Sequence, residues 1–368
     1  MTARRLFALF LFFLPVSFAS IAQNPTDTAP AIAMPKDPTA LMQLAAQMNG
    51  LSAVTVPWHL RASYQTFDDQ GQPKEQGVYE EWWAGPKKDK RVFTGPGFQL
   101  TEYFTEKGEF RTGTQKGTSM AEELVRERLV NPVPNSEALK LAKLRRVVNP
   151  FPKVKLTCVE AAVPMESDAG ASPVGLFPLY CFEMDLPVLR FSGSYGTATT
   201  NYERIGKLNG HFLATDFTIN DLGKPFVKVH LEQGNLLNTV NDADFVPPAD
   251  AFPVPSPVKI DPKELIGKKH GEAIHLASGV TTGRKLSGQQ PEYPVNAKRV
   301  RIQGTVVLQA IIAEDGHIRQ LHVVSAPDTI LAYSSLVAVR TWTYEPYLLD
   351  GKPVEVNTQI NVVYSLGN

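Results

Sequence analysis

Few residues of this chain are spaced for chemistry. Glu80-Glu81 and Glu122-Glu123 are carboxylates adjacent in sequence, not the facing pair that glycoside hydrolysis needs, and they read as solvated positions. Seven histidines are scattered along the chain. His317 and His322 lie five apart on an alternating stretch, so their side chains leave opposite faces of a strand and cannot share a metal. Ser192-Gly193-Ser194-Tyr195-Gly196 falls one glycine short of a nucleophile elbow and has no strand-to-helix setting. Gly95-Pro96-Gly97 reads as a turn. The sequence holds no Walker loop, no GxGxxG fingerprint and no zincin pair. The reading is a protein that is not an enzyme and uses neither cofactor nor metal.

Cys158 and Cys181 are the only cysteines. In an exported chain two cysteines with none left over suggest one disulfide. It would close a loop holding Glu166 to Pro173. Free buried thiols and a reactive thiol are the alternatives; no CxxC or Cys-His spacing supports redox or metal chemistry. Export is read from the start of the chain. Arg4-Arg5 precede a dense apolar run from Leu6 to Ala22, and Ser20-Ile21-Ala22 offers the small residues of a cleavage site. Residues 1–22 are expected to be a signal peptide cut near Ala22-Gln23, with the mature chain in the periplasm. Arg4-Arg5-Leu6-Phe7 glances at a twin-arginine signal, but the core that follows is too apolar for one. An uncleaved inner-membrane anchor over residues 6–22 is the alternative, at the short limit for a bilayer span.

Hydrophobic residues make up 43% of the 368, charged residues 20%, which places the chain among globular proteins of about two domains. Its 37 basic and 37 acidic residues cancel, and no Lys/Arg run exceeds two, so a nucleic-acid partner is not expected.

The elements that must position anything functional fall into two blocks. Residues 23–38 are rich in Pro, Ala and Thr and read as a disordered lead-in. Leu41, Leu44, Ala45 and Met48 have helical spacing. Period-two stretches then begin at Trp58–Thr66 and Val78–Ala84, and recur near 90–94, 99–105, 109–112, 153–159, 179–184, 188–192, 201–207, 211–220 and 227–234. Helices are predicted at Ala121–Val130, closed by Asn131-Pro132, and at Leu139–Val147. The leading helix, the curled strands around Trp58-His59-Leu60 and Tyr79-Glu80-Glu81-Trp82-Trp83, and the strands after a helical insert resemble the half-barrel of the periplasmic LolA/LolB lipoprotein carriers, over residues 39–246. That resemblance implies an apolar concave face able to hold a lipid chain or a partner's helix; Trp82, Trp83 and Phe93 as packed core is the plainer reading. Residues 247–285, opening with Pro247-Pro248 and rich in Pro and Gly, read as a linker. Within them, Val280 to Leu286 is expected to belong loosely to the last block.

The last block, residues 286–368, carries the sharpest pattern. Val306, Leu308, Ala310 and Ile312 alternate with polar neighbours. Asp315-Gly316 supplies a tight turn, and Ile318 to Val324 returns. Asp328 is a helix N-cap, followed by a helical face of Leu331, Ser335, Ala338 and Trp342. Asp350-Gly351-Lys352-Pro353 breaks the chain before the long stretch Val354 to Tyr364. Tyr293-Pro294 with Ala297, Gly304-Thr305-Val306-Val307, Asp315-Gly316, Ala338-Val339-Arg340, Thr341-Trp342, Pro346 and Gly351-Lys352-Pro353, in this order, resemble the C-terminal domain of the TonB energy-transducer family. The resemblance implies two helices packed on a three-stranded antiparallel sheet with the last strand at its edge. It also implies that an extended peptide of an outer-membrane or periplasmic partner pairs there.

The fold class is therefore α+β: a curved antiparallel sheet, then the small TonB-like unit. The residues expected to bind the partner are Val356, Asn357, Thr358, Gln359, Ile360, Asn361, Val362 and Val363, with the helix face around Trp342 and Tyr344 supporting the sheet. On the residues alone, an unused edge stands beside a binding edge. Two features depart from a transducer. The first histidine, His59, lies far beyond the apolar run, and a folded block takes the place of a long periplasmic arm. A lipid or lipoprotein carrier and a self-associating envelope scaffold are the alternative functions.

Overall fold

A computed structural model describes residues 34–68, 70–114, 118–134, 143–147, 151, 153–162, 176–194, 198–254, 258–259, 280–281, 284–349 and 351–366. The expected signal peptide, most of the lead-in, and the Glu166 to Pro173 segment lie outside them.

Helix α1 (Pro38–Met48) starts where Asp37 accepts a hydrogen bond from the Ala40 N–H at 2.8 Å and Pro38 occupies the first turn. Five strands follow in a meander: β1 (Trp58–Phe67), β2 (Pro73–Trp83), β3 (Asp89–Gly95), β4 (Phe98–Thr105) and β5 (Gly108–Gly113). Helix α2 (Met120–Val130) then opens with a capping box, Ser119 and Glu122 each bonding the other's backbone N–H. The meander resumes with β6 (Lys143–Val147), β7 (Thr157–Ala162), β8 (Leu179–Phe182), β9 (Leu189–Ser194), β10 (Ala198–Leu208), β11 (His211–Asp221), β12 (Lys224–Leu236) and the short β13 (Phe252–Pro253). Together they form one antiparallel sheet in the order β13-β5-β4-β3-β2-β1-β12-β11-β10-β9-β8-β7-β6. One helix expectation fails. Lys143–Val147 pairs with β7 as a strand instead of ending a helix, because the Cys158 to Ala162 backbone beside it offers a ladder that local spacing does not announce.

The sheet's apolar face is covered by its own helices. Leu41, Met42 and Ala45 of α1 and Leu124, Val125 and Leu129 of α2 pack with Trp58, Leu60, Tyr79, Phe93, Phe217 and Ile219 in one buried cluster. Gly50 makes the close approach possible. Its φ is +73°, and a Cβ there would sit 2.4 Å from both the Val130 carbonyl oxygen and Pro132 Cδ. The concave face that the half-barrel resemblance reserves for a ligand is thus occupied by side chains of the described residues.

The second lobe contains β14 (Val258–Lys259), β15 (Val280–Thr281), β16 (Lys285–Ser287), α3 (Val295–Arg299), β17 (Gly304–Ile312), β18 (Ile318–Ser325), α4 (Thr329–Val339), β19 (Thr343–Tyr344), β20 (Leu348–Leu349), β21 (Lys352–Pro353) and β22 (Val356–Tyr364). The helix, hairpin, helix and closing strand stand in the expected order. Asp328 caps α4 by accepting from the Ile330 N–H at 2.7 Å. Gly316, with φ +85°, makes the hairpin turn; a Cβ on it would lie 1.9 Å from the Tyr344 carbonyl oxygen. The main sheet runs β14-β22-β17-β18, with smaller ladders β15-β20-β21 and β16-β19.

The expected three-stranded antiparallel sheet is present as β22-β17-β18, and Val258 and Lys259 add to it in parallel at Val356 and Asn357. An extended segment beside an open ladder satisfies its backbone by joining it. The last strand is therefore flanked on both sides at its first two residues. One expectation about this lobe is corrected: Trp342 leaves the helical face assigned to it, since α4 stops at Val339 and Thr343–Tyr344 form β19 against Lys285–Ser287.

The lobes are docked, not merely tethered. Leu176 and Phe177, just ahead of β8, are buried in the cluster otherwise built from Ala297, Val306, Leu308, Leu321, Leu331, Val339 and their neighbours in the second lobe. Arg340 forms a two-pronged ion pair with Asp221 of β11. Arg319 of β18 bonds Glu123 of α2 at 3.2 Å and Glu355 at 2.9 Å. The Cys158–Cys181 disulfide is present, joining register partners of β7 and β8 four residues after Phe177.

Candidate partner-binding edge

The residues singled out for binding all lie on β22. On one flank β22 pairs with β17 along its whole length, from Val356 opposite Ile312 to Tyr364 opposite Gly304. On the other flank, among the described residues, strand pairing stops at Asn357. The alternation of the sequence decides which side chains are available. Val356, Thr358, Ile360, Val362 and Tyr364 face the lobe's interior and are buried, while Asn357, Gln359, Asn361 and Val363 face outward. Thr358 is 4% exposed and Val363 69%. The eight residues therefore form one strand but not one surface: four could contact a partner with side chains, and four contribute only backbone.

The strand is held firmly from its buried side. Tyr364 ends it with its hydroxyl 3.0 Å from Ser335 Oγ, which donates to the Leu331 carbonyl at 2.8 Å. Tyr293 packs edge-on against Tyr364 at 5.2 Å and donates to the Ile302 carbonyl. Gln309 of β17 reaches across to the Thr358 carbonyl at 3.0 Å and to the Asn357 side chain. Ala332, Ser335 and Leu336 of α4 pack behind the sheet, the small residues keeping helix and strands close. Trp342 and Tyr344 act from beyond the helix. Trp342 donates to the Gln289 carbonyl at 2.7 Å under the Lys285 ammonium, 3.5 Å from its ring. The Tyr344 N–H binds the Gly316 carbonyl at 2.9 Å, pinning the hairpin turn, and burial raises its phenol well above the usual range.

Elsewhere the carboxylates expected to be solvated are not. Glu81 is fully buried beneath Arg126 and Arg91, at 3.0 and 3.5 Å, with Asp89 beside it. Burial, then the Glu81 charge, push the Asp89 carboxyl up to about 7. Glu122 is buried as the partner of Ser119 and Tyr64. Period-two spacing placed Glu81 on the inner face opposite Glu80; the arginines that neutralise it come from β3 and α2. Glu80 stays on the outer face, bonded to His59 and Arg61. Among the described residues, no group of three or more His, Cys, Asp or Glu side chains is placed to hold a metal ion. An open groove of about 940 Å³ beside Tyr64, Gln76, Asp216 and His230 is lined by apolar residues, Val78, Phe217 and Val229 among them, together with polar and charged ones.

Residues 289–366 match the family described as the Gram-negative bacterial TonB protein C-terminal. Protein TonB of Escherichia coli is 37% identical over 71 residues, 19% of this chain and 28% of that protein. Protein TonB of Vibrio cholerae is 33% identical over 78 residues, 21% of this chain and 32% of that protein. The chain thus covers less than two thirds of these relatives' length. Among solved structures, a DUF1329 family protein from Desulfovibrio piger is similar at TM-score 0.39 and 13% identity, over 57% of this chain and 98% of the other. A LolA superfamily protein from Nitrosomonas europaea is similar at TM-score 0.37 and 10% identity, over 57% of this chain and 97% of the other.

Proposed function

We propose that this protein is a TonB-like component of the cell envelope that captures an extended segment of an outer-membrane or periplasmic protein by strand addition to β22. The observation that carries the reading is the one-sided ladder. β22 is fully paired with β17, while residues 358–363 have no strand on their other flank among the described residues. Such a margin presents N–H and C=O groups at spacings a second strand can meet.

Backbone bonds at about 1 kcal/mol net each do not by themselves offset the roughly 4–15 kcal/mol cost of associating and ordering a peptide. Side-chain contacts must therefore set affinity and register, and Gln359, Asn361 and Val363 are the outward residues that can make them. The proposed home is the periplasm, with residues 1–22 as signal peptide. Residues 39–246 and 286–368 act as two units, bridged by 247–285. A lipid carrier needs empty apolar volume on the first sheet's inner face, where α1 and α2 are packed.

The test is cross-linking from Gln359→Cys or Asn361→Cys in cells with an intact periplasm, followed by identification of the captured segment. Thr358 is unsuitable, being buried. Capture of a segment from an envelope protein is the expected result. Capture solely of a second copy of this chain points to the scaffold alternative. Gln359→Pro and Ile360→Pro form the mechanistic pair. Their N–H groups point to opposite flanks, so the one aimed away from β17 should lose binding and keep the fold.

A further inference from the structure

The open flank of β22 is already engaged at one end, and by the same short stretch that closes an edge of the first sheet. Phe252 and Pro253 pair with Arg111 and Phe110 of β5, and the Val254 N–H reaches the Glu109 carbonyl at 2.9 Å. Val258 and Lys259 pair with Val356 and Asn357 of β22. Val254 and Val258 are four residues apart, a span of at most about 14 Å. One stretch of chain thus ties the β5 edge of the first lobe to the β22 edge of the second. Beside it, Glu355 is bound to Arg319, which also holds Glu123 of α2. The start of β22 is thus tied to the first lobe both by pairing and by an ion pair.

On that flank each ladder N–H donates to one partner and each C=O accepts from one. A foreign strand that runs the length of β22 cannot pair at Val356 and Asn357 while Val258 and Lys259 remain there. We propose that Val258–Lys259 is an intramolecular competitor for the partner-binding edge, so that full engagement of a partner requires its displacement. The inference rests on the strand-addition reading above and adds a control to it. The short ladder suits this role: two paired residues are enough to occupy the position and few enough to be displaced. Apparent affinity is then the intrinsic affinity scaled by the fraction of molecules with the edge vacated.

The experiment uses the full chain and a fluorescein-labelled peptide of alternating threonine and valine with flanking lysines, since the recognition tested is that of backbone. Binding is measured by anisotropy for three forms. These are the wild type, a release variant carrying Val258→Pro and Lys259→Pro, and a lock carrying Lys259→Cys and Asn357→Cys, which are register partners. The release variant is expected to bind about fivefold tighter than wild type. The oxidised lock is expected to bind at least about tenfold more weakly and to recover on reduction, with reduced wild type as the control for the native disulfide. Equal affinity in all forms overturns the competitor while leaving strand addition standing. Absence of binding to every form, the release variant included, overturns the competitor, because vacating the edge then brings no gain; strand addition of a cognate segment stands or falls on the cross-link.

Discussion

Phe177→Ala should weaken the second lobe although residue 177 belongs to the first. Phe177 is 3% exposed and sits in the cluster formed by Ala297, Leu308, Leu331, Val339 and Tyr364 with their neighbours. Truncating a buried phenylalanine to alanine removes most of its transfer free energy and leaves a cavity, together about 3–5 kcal/mol. Part of that is docking energy, because the ring and the pocket come from different lobes. A loss of about 3 kcal/mol is more than a hundredfold change in the docked population. Hydrogen exchange with mass spectrometry reads this by segment. Amides of β17, β18 and β22 should exchange about a hundredfold faster in the variant. Those of β1, β2 and β12, in the middle of the first sheet, should change little. Leu176→Ala should give the same pattern at smaller amplitude. Unchanged protection in β17 and β22, with a stability loss below about 1 kcal/mol, would refute the claim that these two side chains complete the second lobe's core.

Three further outcomes follow from the same geometry. The Asp89 carboxyl, raised to about 7 by burial beside Glu81, keeps a proton in the folded chain that the unfolded chain releases near its ordinary value of about 4. Stability should therefore fall as pH rises through that window, by up to about 1.4 kcal/mol per unit; urea titrations of Asp89→Asn should show that component gone and a gain over wild type at pH 8. Gly316→Ala should cost more than about 2 kcal/mol in a thermal melt, since its Cβ would meet the Tyr344 carbonyl at a positive φ. Tyr364→Phe should cost only about 1 kcal/mol in urea denaturation, because Ser335 keeps its bond to the Leu331 carbonyl when the phenol is removed.

Much of the architecture was legible where one residue's neighbours in sequence are also its neighbours in space. Alternation in β1, β2, β17 and β22 marks which side chains are buried, because period two is a property of the strand itself. Asp328 marks a helix start for the same local reason, and Asp315-Gly316 marks the turn. Two cysteines with no competitor left one intramolecular pairing to make. The candidate edge was legible as a strand.

Tertiary structure alone decided how that strand is used. Whether Val356 and Asn357 are free depends on Val258 and Lys259, almost a hundred residues away in sequence. Whether Glu81 is solvated depends on Arg91 and Arg126. Leu176 and Phe177 carry no pattern of their own, yet they fill a core whose other buried residues begin more than a hundred residues later. Local spacing reports the period of a backbone; it carries no record of which distant backbone satisfies an open ladder, or which apolar pair fills a cavity, because those are set by packing of the whole chain.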